Sequence, residues 1–550
     1  LNIFFDTEDN SMELFQAARK RKQCDLSRVG FKKQITQIAA ITETGNTWYS
    51  RGPQSSSRFL AWLGTFESCR VYALNIQYDL GNLFGDSIDV LDVVMIGGRM
   101  IKARWKGCTF LDVYNVWPMS VKKLGKAFKL RKRKFDTQSK EYVFRDVEII
   151  RAAMLYASEF LSKFGVEHVS NTLGGFCVNI WKSLGGENWH DSSLDEDNRP
   201  RGFYGGRVEL FSMGGTGLIS YTDINSLYPF CMTKEFPECN QPIKSLDWHG
   251  VARVKINIPD CFIAPLPVRR NDGSIFYPVG TVTGFWTLAE IRNAVEHGAR
   301  VLKVFEAWGS KQGEAYYKEF VTRLYALRLK AKSDAEKLML KLCMNNLYGQ
   351  LATSGSITRS LCVTEVEMKL QELIGLPVAG KYGSKKLAEH QIPLPEHTNY
   401  LHAAHVTSFA RLELQKYLRR VRSQDLVYCD TDSVLFFGNP PFPISNQLGK
   451  MKLEGTASSC RCIAPKTYQF GETWKAKGVR ATLAKEFIQD GEVTYEQPFK
   501  FREAVTMFDF GNAKKLSIWH PVTKHLLTQY DKKRSVGSQF LPLHYSRDVA

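Results

Sequence analysis

The sequence predicts a multidomain α/β chain, and three observations carry that prediction. Its 550 residues are enough for roughly three or four domain-sized units, each able to bury its own core. Short apolar runs that read as strands end in carboxylates at several separate places, and stretches of helical period lie between them. A strongly polar, glycine-interrupted stretch at 185–200 (G-G-E-N-W-H-D-S-S-L-D-E-D-N-R-P) reads as a linker between a first unit, 1–184, and a second, 201–550.

Composition narrows the class of partner. With 44% hydrophobic and 24% charged residues the chain reads as an ordinary globular protein. The balance of 74 Lys and Arg against 56 Asp and Glu, a net +18, favours a polyanion, although charge alone does not separate nucleic acid from an anionic membrane. No apolar run approaches the ~20 residues needed to span a bilayer and no signal peptide is recognisable, so no membrane partner is expected. Leu1 opens the sequence, which leaves its natural start open. The 12 cysteines are scattered, without a C-x-x-C pair that would suggest a zinc ribbon. Scattered thiols fit a reducing compartment.

In the first unit, Ile3-Phe4-Phe5-Asp6-Thr7-Glu8 is an apolar strand ending in two alternate acids, which period-two geometry puts on the same side. The basic run Arg19-Lys20-Arg21-Lys22 reads as exposed surface. The segment Tyr72-Ala73-Leu74-Asn75-Ile76-Gln77-Tyr78-Asp79 carries Asn75 and Asp79. A helical pattern opening at Tyr142 places Tyr142 and Asp146 one turn apart on one face. Together Asp6, Glu8, Asp79 and Asp146 make a set for two divalent ions, suited to hydrolysis of a phosphodiester by water. A second basic run lies at Lys129 to Lys134.

The second unit opens with Phe203-Tyr204-Gly205-Gly206-Arg207, whose paired glycines allow close approach of backbone to a phosphate. The run from Leu218 reads as a strand that ends at Asp223 and turns through Ile224-Asn225-Ser226-Leu227-Tyr228-Pro229. The stretch that follows is too long for a loop and too structured for a linker. Glu314 to Tyr348 reads as two helices hinged near Ser333-Asp334, an N-cap signal. On the second of them Lys337, Lys341, Asn345 and Tyr348 share one stripe at about 100° per residue. Apolar residues flank Tyr428-Cys429-Asp430-Thr431-Asp432-Ser433 on both sides (Leu426, Val427; Val434, Leu435, Phe436, Phe437), so this is a tight hairpin between buried strands. Its two carboxylates would raise each other's pKa unless a cation neutralised them. Asp223 with Asp430 and Asp432 can supply oxygen ligands for two Mg2+ or Mn2+ ions, the arrangement for in-line phosphoryl transfer.

At this point the chain resembles the family B DNA polymerases. D-I-N-S-L-Y-P at 223–229 is similar to their motif A, K-L-C-M-N-N-L-Y-G at 341–349 to motif B, and Y-C-D-T-D-S at 428–433 to motif C, in that order. The acidic segments of the first unit are similar to the three exonuclease motifs of the same family. The resemblance implies an RNase H-like 3′–5′ exonuclease domain, then a right-hand polymerase with a palm built on an antiparallel sheet (201–239 and 400–470), fingers (313–353) and thumb (471–550). Stretches at about 240–312 and 354–399 stand where the protein-primed branch of the family (phage, linear-plasmid, adenovirus and organellar-plasmid enzymes) carries its two terminal-protein regions.

Roles follow from the resemblance, residue by residue. Asp223 and Asp432, with Asp430 assisting, would hold the polymerase metals, and Asp6, Glu8, Asp79 and Asp146 those of the exonuclease, two ions at each. Tyr142 would orient the attacking water, Asn75 hold the frayed strand, and Lys134 stand at the exonuclease lysine. Lys337 and Lys341 would neutralise triphosphate oxygens, Asn345 and Tyr348 line the nucleotide pocket, and Tyr228 exclude a 2′-hydroxyl. Phe203, Tyr204, Gly205 and Gly206 would contact template and coordinate synthesis with exonucleolysis, Phe203 replacing the family's Tyr. Thr407 and Arg411, in T-S-F-A-R, would hold primer–template phosphates, and Lys466 and Tyr468, in P-K-T-Y, would grip the primer end. Asn346 and Gln350 replace the usual Ser and Lys of motif B.

The implied partners are primer–template DNA, deoxynucleoside triphosphates and a terminal protein, with the chain acting as a monomer. Two other readings compete with this one. A nucleic-acid-primed repair polymerase is disfavoured by the two insertions. A catalytically silent single-strand-binding protein would keep basic and aromatic surface but has no reason to retain seven carboxylates at two sites.

Overall fold

The computed structural model describes residues 1–9, 35–84, 90–96, 99–134, 136, 139–187, 202–353, 357–363, 378–382, 385–392, 395–498, 519–526, 533–535, 537 and 539–545. Third from one edge of the first sheet lies the strand Asn2–Asp9, parallel to Cys69–Ala73 and antiparallel to Ile35–Thr42. Its alternation is the period of a strand buried on both faces. Ile3 and Phe5 enter one apolar cluster with Phe59 and Leu63, while Phe4 enters another with Val143, Val147 and Ile150. The helices Ser55–Leu63 and Ile76–Phe84 therefore cover one face and the long helix Lys140–Ser162 the other. Ser139 starts that long helix by accepting from the Tyr142 N–H, which sets the phase that presents Tyr142 and Asp146.

The second sheet has seven strands, every neighbouring pair antiparallel. Its centre is Gly214–Ile224, flanked by Met451–Ala464 and by Ser433–Phe437; the latter forms a hairpin with Leu426–Asp430. Val434 and Phe436 enter the main core whereas Val427 and Leu435 enter a smaller cluster on the opposite face. Burial on both faces is the reason these strands read as unbroken apolar runs. The helix Tyr400–Leu418 packs beneath, with Ala403, Val406, Ala410 and Leu414 fully buried.

Between the two central strands the chain builds a unit of its own. The strands Gln241–Pro242, Arg300–Ser310, His249–Ile258 and Gly280–Thr287 form a four-stranded sheet. With the helix Leu288–Glu296 they close over a separate core that includes Ile256, Phe276 and Trp286. The helices Lys318–Lys330 and Asp334–Leu351 follow, and Ser333 caps the second by accepting from the Glu336 N–H at 3.1 Å.

Of the 354–399 stretch, three strands are described, Ile357–Val363, Val378–Tyr382 and Lys385–Ile392. They extend the first sheet, because Ile357–Val363 pairs with Asp92–Ile96. Beyond 471 the described residues include the helix Ala484–Asp490 and the hairpin of Glu492–Pro498 with Trp519–His525. The basic run 19–22 and residues 188–200 of the 185–200 linker stretch lie outside the described residues. Among the described residues no helix is long and apolar enough to cross a membrane.

Candidate active sites

The hairpin that carries Asp430 and Asp432 is the first of two acidic centres. Asp430 pairs with Ser433 across a turn in which Thr431 adopts φ 60°, and the Asp432 N–H donates to the Asp430 carbonyl at 2.6 Å. The neighbouring strand pairs Asp223 with Ser433, and the Ile224 N–H donates to the Asp432 carbonyl at 2.7 Å. Asp223 and Asp432 are thus brought side by side from residues 209 apart in sequence (432 minus 223). Burial and then the nearby Asp223 push the Asp432 carboxyl up to about 7. Burial also raises Asp223, a shift partly offset by the cations Lys452 and Lys341.

Asp430 is engaged differently. Lys466, in a left-handed conformation at φ 61°, donates to both of its oxygens at 2.9 and 2.7 Å. Two carboxylates whose charged forms are disfavoured by burial and mutual repulsion suit a divalent cation, and the donor set is all oxygen. Lys452, opposite Asp223 in the sheet and 3.7 Å from its carboxylate, and Glu454 beside it complete the local charge balance. Neither is marked by the motif, because only the pairing of distant strands brings them there.

The helix Asp334–Leu351 forms the wall opposite. Leu340, Cys343, Met344 and Leu347 bury one side, leaving Lys337, Lys341 and Asn345 exposed and Tyr348 half-buried. Ser226, at φ 49°, turns the chain after Asp223 into the short helix Leu227–Met232. That turn brings the Tyr228 ring flat against Tyr348. Gln350 donates to Asn346 at 3.4 Å and lies over Gly174, where a Cβ would fall 2.4 Å from its amide carbon. These two residues thus contact each other, and Gln350 faces the first unit.

The second centre lies in the first unit. Ligand oxygens of Asp6, Glu8 and Asp146 fall within 4.8 Å of one another, a spacing that a metal ion fits; among the described residues the trio Asp223, Asp430 and Asp432 is not drawn together so tightly. Asp79, on the helix Ile76–Phe84, accepts from the Thr7 N–H at 3.1 Å and the Thr7 hydroxyl at 2.6 Å. Burial, then Asp79, Glu8 and Asp146, raise Asp6 well above the usual carboxylate range; burial and Asp146 push Glu8 up to about 8. Asn75, exposed at φ 69°, is pinned by its N–H donating to Asp112 at 2.9 Å.

Four expectations are corrected. Lys132, not Lys134, enters this centre: it ion-pairs with Asp146 and lies 4.9 Å from the Tyr142 ring centre, while Lys134 is exposed. In a run of alternating cations, sequence alone does not say which one turns inward. Thr407 does not face a phosphate, since it is fully buried and its hydroxyl donates to the carbonyls of Ala403 and Ala404. Nor does Arg411, whose fully buried guanidinium pairs with Glu290 and donates to the Tyr204 and Gly205 carbonyls. Tyr468 is buried at 6% exposure against Tyr428, so its ring supports the hairpin strand instead of lying open to a primer.

The loop at Phe203 to Gly206 sits between these parts. Arg269 donates to the Phe203 carbonyl at 2.9 Å, and Tyr204 is half-buried. Gly206 approaches the hairpin so closely that a Cβ would meet the Thr431 hydroxyl at 2.7 Å, which is why only glycine suits the position. Below it, Arg207 pairs with Glu209, which also binds Arg534; all three are buried.

Residues 129–381 match the family described as DNA polymerase type B, organellar and viral. A probable DNA polymerase of Ascobolus immersus is 27% identical over 312 residues, covering 52% of this chain and 26% of the relative. One from Podospora anserina is 25% identical over 308 residues, 48% of this chain and 25% of the relative. The chain spans about a quarter of the length of these relatives. The Phi29 DNA polymerase complexed with primer-template DNA has the same fold, with a TM-score of 0.69 at 15% identity over 95% of this chain and 99% of that one. The architecture is accordingly the multidomain α/β fold of the Phi29 DNA polymerase structure.

Proposed function

The chain resembles the protein-primed family B DNA polymerases, and on that premise we propose that it is a template-directed DNA polymerase. We extend the proposal to a separate 3′–5′ proofreading exonuclease and to initiation of a linear DNA from a hydroxyl of a terminal protein. The observation that supports the reading most is the pair of carboxylate centres in two different sheets. Asp223 with Asp432 stands beside the Tyr228–Tyr348 wall, and Asp6, Glu8 and Asp146 stand beside Lys132 and Tyr142.

Asp223, Asp432 and Asp430 at one centre, and Asp6, Glu8, Asp79 and Asp146 at the other, would hold two Mg2+ or Mn2+ ions each, which would neutralise charge on the reacting phosphate. The remaining work falls to the protein. Lys337 and Lys341, exposed on one helix face, bind triphosphate oxygens. Tyr228 and Tyr348 line the sugar side of the pocket. Lys466 neutralises Asp430 and lies where a primer end would approach. In the exonuclease, Lys132 orients Asp146, and Tyr142 is placed to hold the attacking water. The inserted unit and the 354–399 stretch support the protein-primed branch.

Primer extension with and without a candidate terminal protein tests the reading. Extension of a primed template, together with transfer of a deoxynucleotide to the terminal protein, is expected. No extension in either reaction would overturn the polymerase reading. Extension without transfer would remove protein priming.

A further inference from the structure

Arg411 is a fully buried cation close to the hairpin loop, and its guanidinium pairs with neither acidic centre. We infer that Glu290, in the inserted unit, is a positioning residue for synthesis: through Arg411 it sets the Tyr204–Gly206 loop against the hairpin of Asp430 and Asp432. The inference rests on the polymerase reading above.

The path is continuous. Glu290 accepts from Arg411 Nε at 2.7 Å and Nη2 at 3.0 Å, and both side chains are 0% exposed. The remaining nitrogen, Nη1, donates to the Tyr204 carbonyl at 2.7 Å and the Gly205 carbonyl at 2.9 Å. A planar guanidinium binding a carboxylate with one edge can present its other donors in only one direction. The carboxylate therefore aims the donors that hold the loop. Glu290 is itself fixed, because Thr287 caps its helix and the Thr287 and Ser408 hydroxyls meet at 2.5 Å.

At its far end the loop meets the catalytic turn directly. Gly206 lies against the Thr431 side chain, and the Thr431 N–H donates to the Arg207 carbonyl at 2.7 Å. Thr431 separates the two hairpin carboxylates, so a shift of the loop is a shift of Asp430 relative to Asp432. The ion pair also joins three parts of the chain: the inserted unit, the helix Tyr400–Leu418 and the loop that follows the linker. A load on the inserted unit thus has a route to the catalytic turn.

Without the Glu290 charge, Arg411 remains buried with an uncompensated positive charge and no fixed aim. Glu290→Gln keeps the volume and removes that charge. The measurements are steady-state kcat and KM for primer–template extension per active molecule, exonucleolysis of single-stranded DNA, and circular dichroism at the assay temperature. A folded Glu290→Gln should lose kcat for extension by roughly tenfold or more, the scale of a small misplacement at a reacting centre. Degradation of single strands should stay at the parental rate, so the ratio of exonucleolysis to synthesis rises by the same factor. A purely structural role would lower the folded fraction and both activities together. If Glu290→Gln does not fold, Glu290→Asp, which keeps the charge but retracts it, decides, with a smaller shift in the same ratio expected. A folded variant with an unchanged ratio overturns the inference. A parent chain that extends no primer overturns the polymerase reading instead.

Discussion

Tyr228 and Tyr348 lie face to face, their ring centroids 4.8 Å apart and their planes 8° from parallel. One ring follows Asp223 by five residues and the other ends the stripe of Lys337, Lys341 and Asn345. The stack therefore joins the chain just after Asp223 to the helix that would bind the nucleotide.

Tyr228→Val should raise ribonucleotide incorporation relative to deoxynucleotide by orders of magnitude, on the scale of a few kcal/mol. A 2′-hydroxyl would need the space the ring occupies, and rejection by overlap is strong. Because Tyr348 stacks on that ring, Tyr348→Val should relax the same ratio by less. The ratio of incorporation efficiencies for the two sugars is the quantity to compare. An unchanged ratio in Tyr228→Val would return the tyrosine to the core.

Asp432→Asn should abolish synthesis and leave degradation of single-stranded DNA near the parental rate. The two acidic centres lie in different sheets, and removing charge from one costs several kcal/mol of barrier only there. Equal loss of both activities in a folded variant would defeat the assignment of two centres.

Asp6→Ala combined with Glu8→Ala should do the reverse, leaving extension intact while mismatched 3′ ends are no longer trimmed. It should also remove the burial cost and the repulsion that together raise both carboxyls, so the variant should melt no lower than the parent. Single-strand degradation at the parental rate would show that the first centre has been misassigned.

Lys132→Ala should slow exonucleolysis by about tenfold or more, the loss expected when a charge-assisted contact orienting a reacting group is removed. Lys134→Ala should change it little, because Lys134 is exposed. The two variants assayed in parallel on single-stranded DNA separate the structural assignment from the motif-based one.

Acid should weaken the fold through two buried histidines. Burial pushes His402 down to about 3 and His405 down to about 4 from an ordinary 6.5. Both are neutral when folded and protonate when unfolded, so their contribution is complete above about pH 6.5 and is lost as pH falls toward 4. At pH 5 the loss is about 2 kcal/mol for each. The raised carboxylates Asp6, Glu8 and Asp432 titrate with the opposite sign, so the useful comparison is between variants. His402→Phe keeps a ring among Phe236, Tyr316 and Tyr317 but loses the hydrogen bonds to the Tyr317 hydroxyl and the Pro237 carbonyl; it should lower Tm at neutral pH and flatten its decline between pH 6.5 and 5. A decline as steep as the parent's would remove His402 as its source.

The chemistry of this chain is legible locally because local geometry fixes it. A two-residue hairpin must hold Asp430 and Asp432 at its tip, period two must put Asp6 and Glu8 on one side of a strand, and a helix must align Lys337, Lys341, Asn345 and Tyr348. These relations need no knowledge of what packs against them. The partners of Arg411, Lys132 and Tyr468 are another matter, since period and spacing give the direction of a side chain but not what meets it. Arg411 reads as a surface cation in its motif, yet Glu290, 121 residues away, makes it a buried support. Lys132 and Lys134 are alike in sequence, and only the long helix that carries Asp146 distinguishes them. The addition of Ile357–Val363 to the first sheet is of the same kind. Such contacts are set by how distant elements pack, where desolvation decides which charge must find a partner.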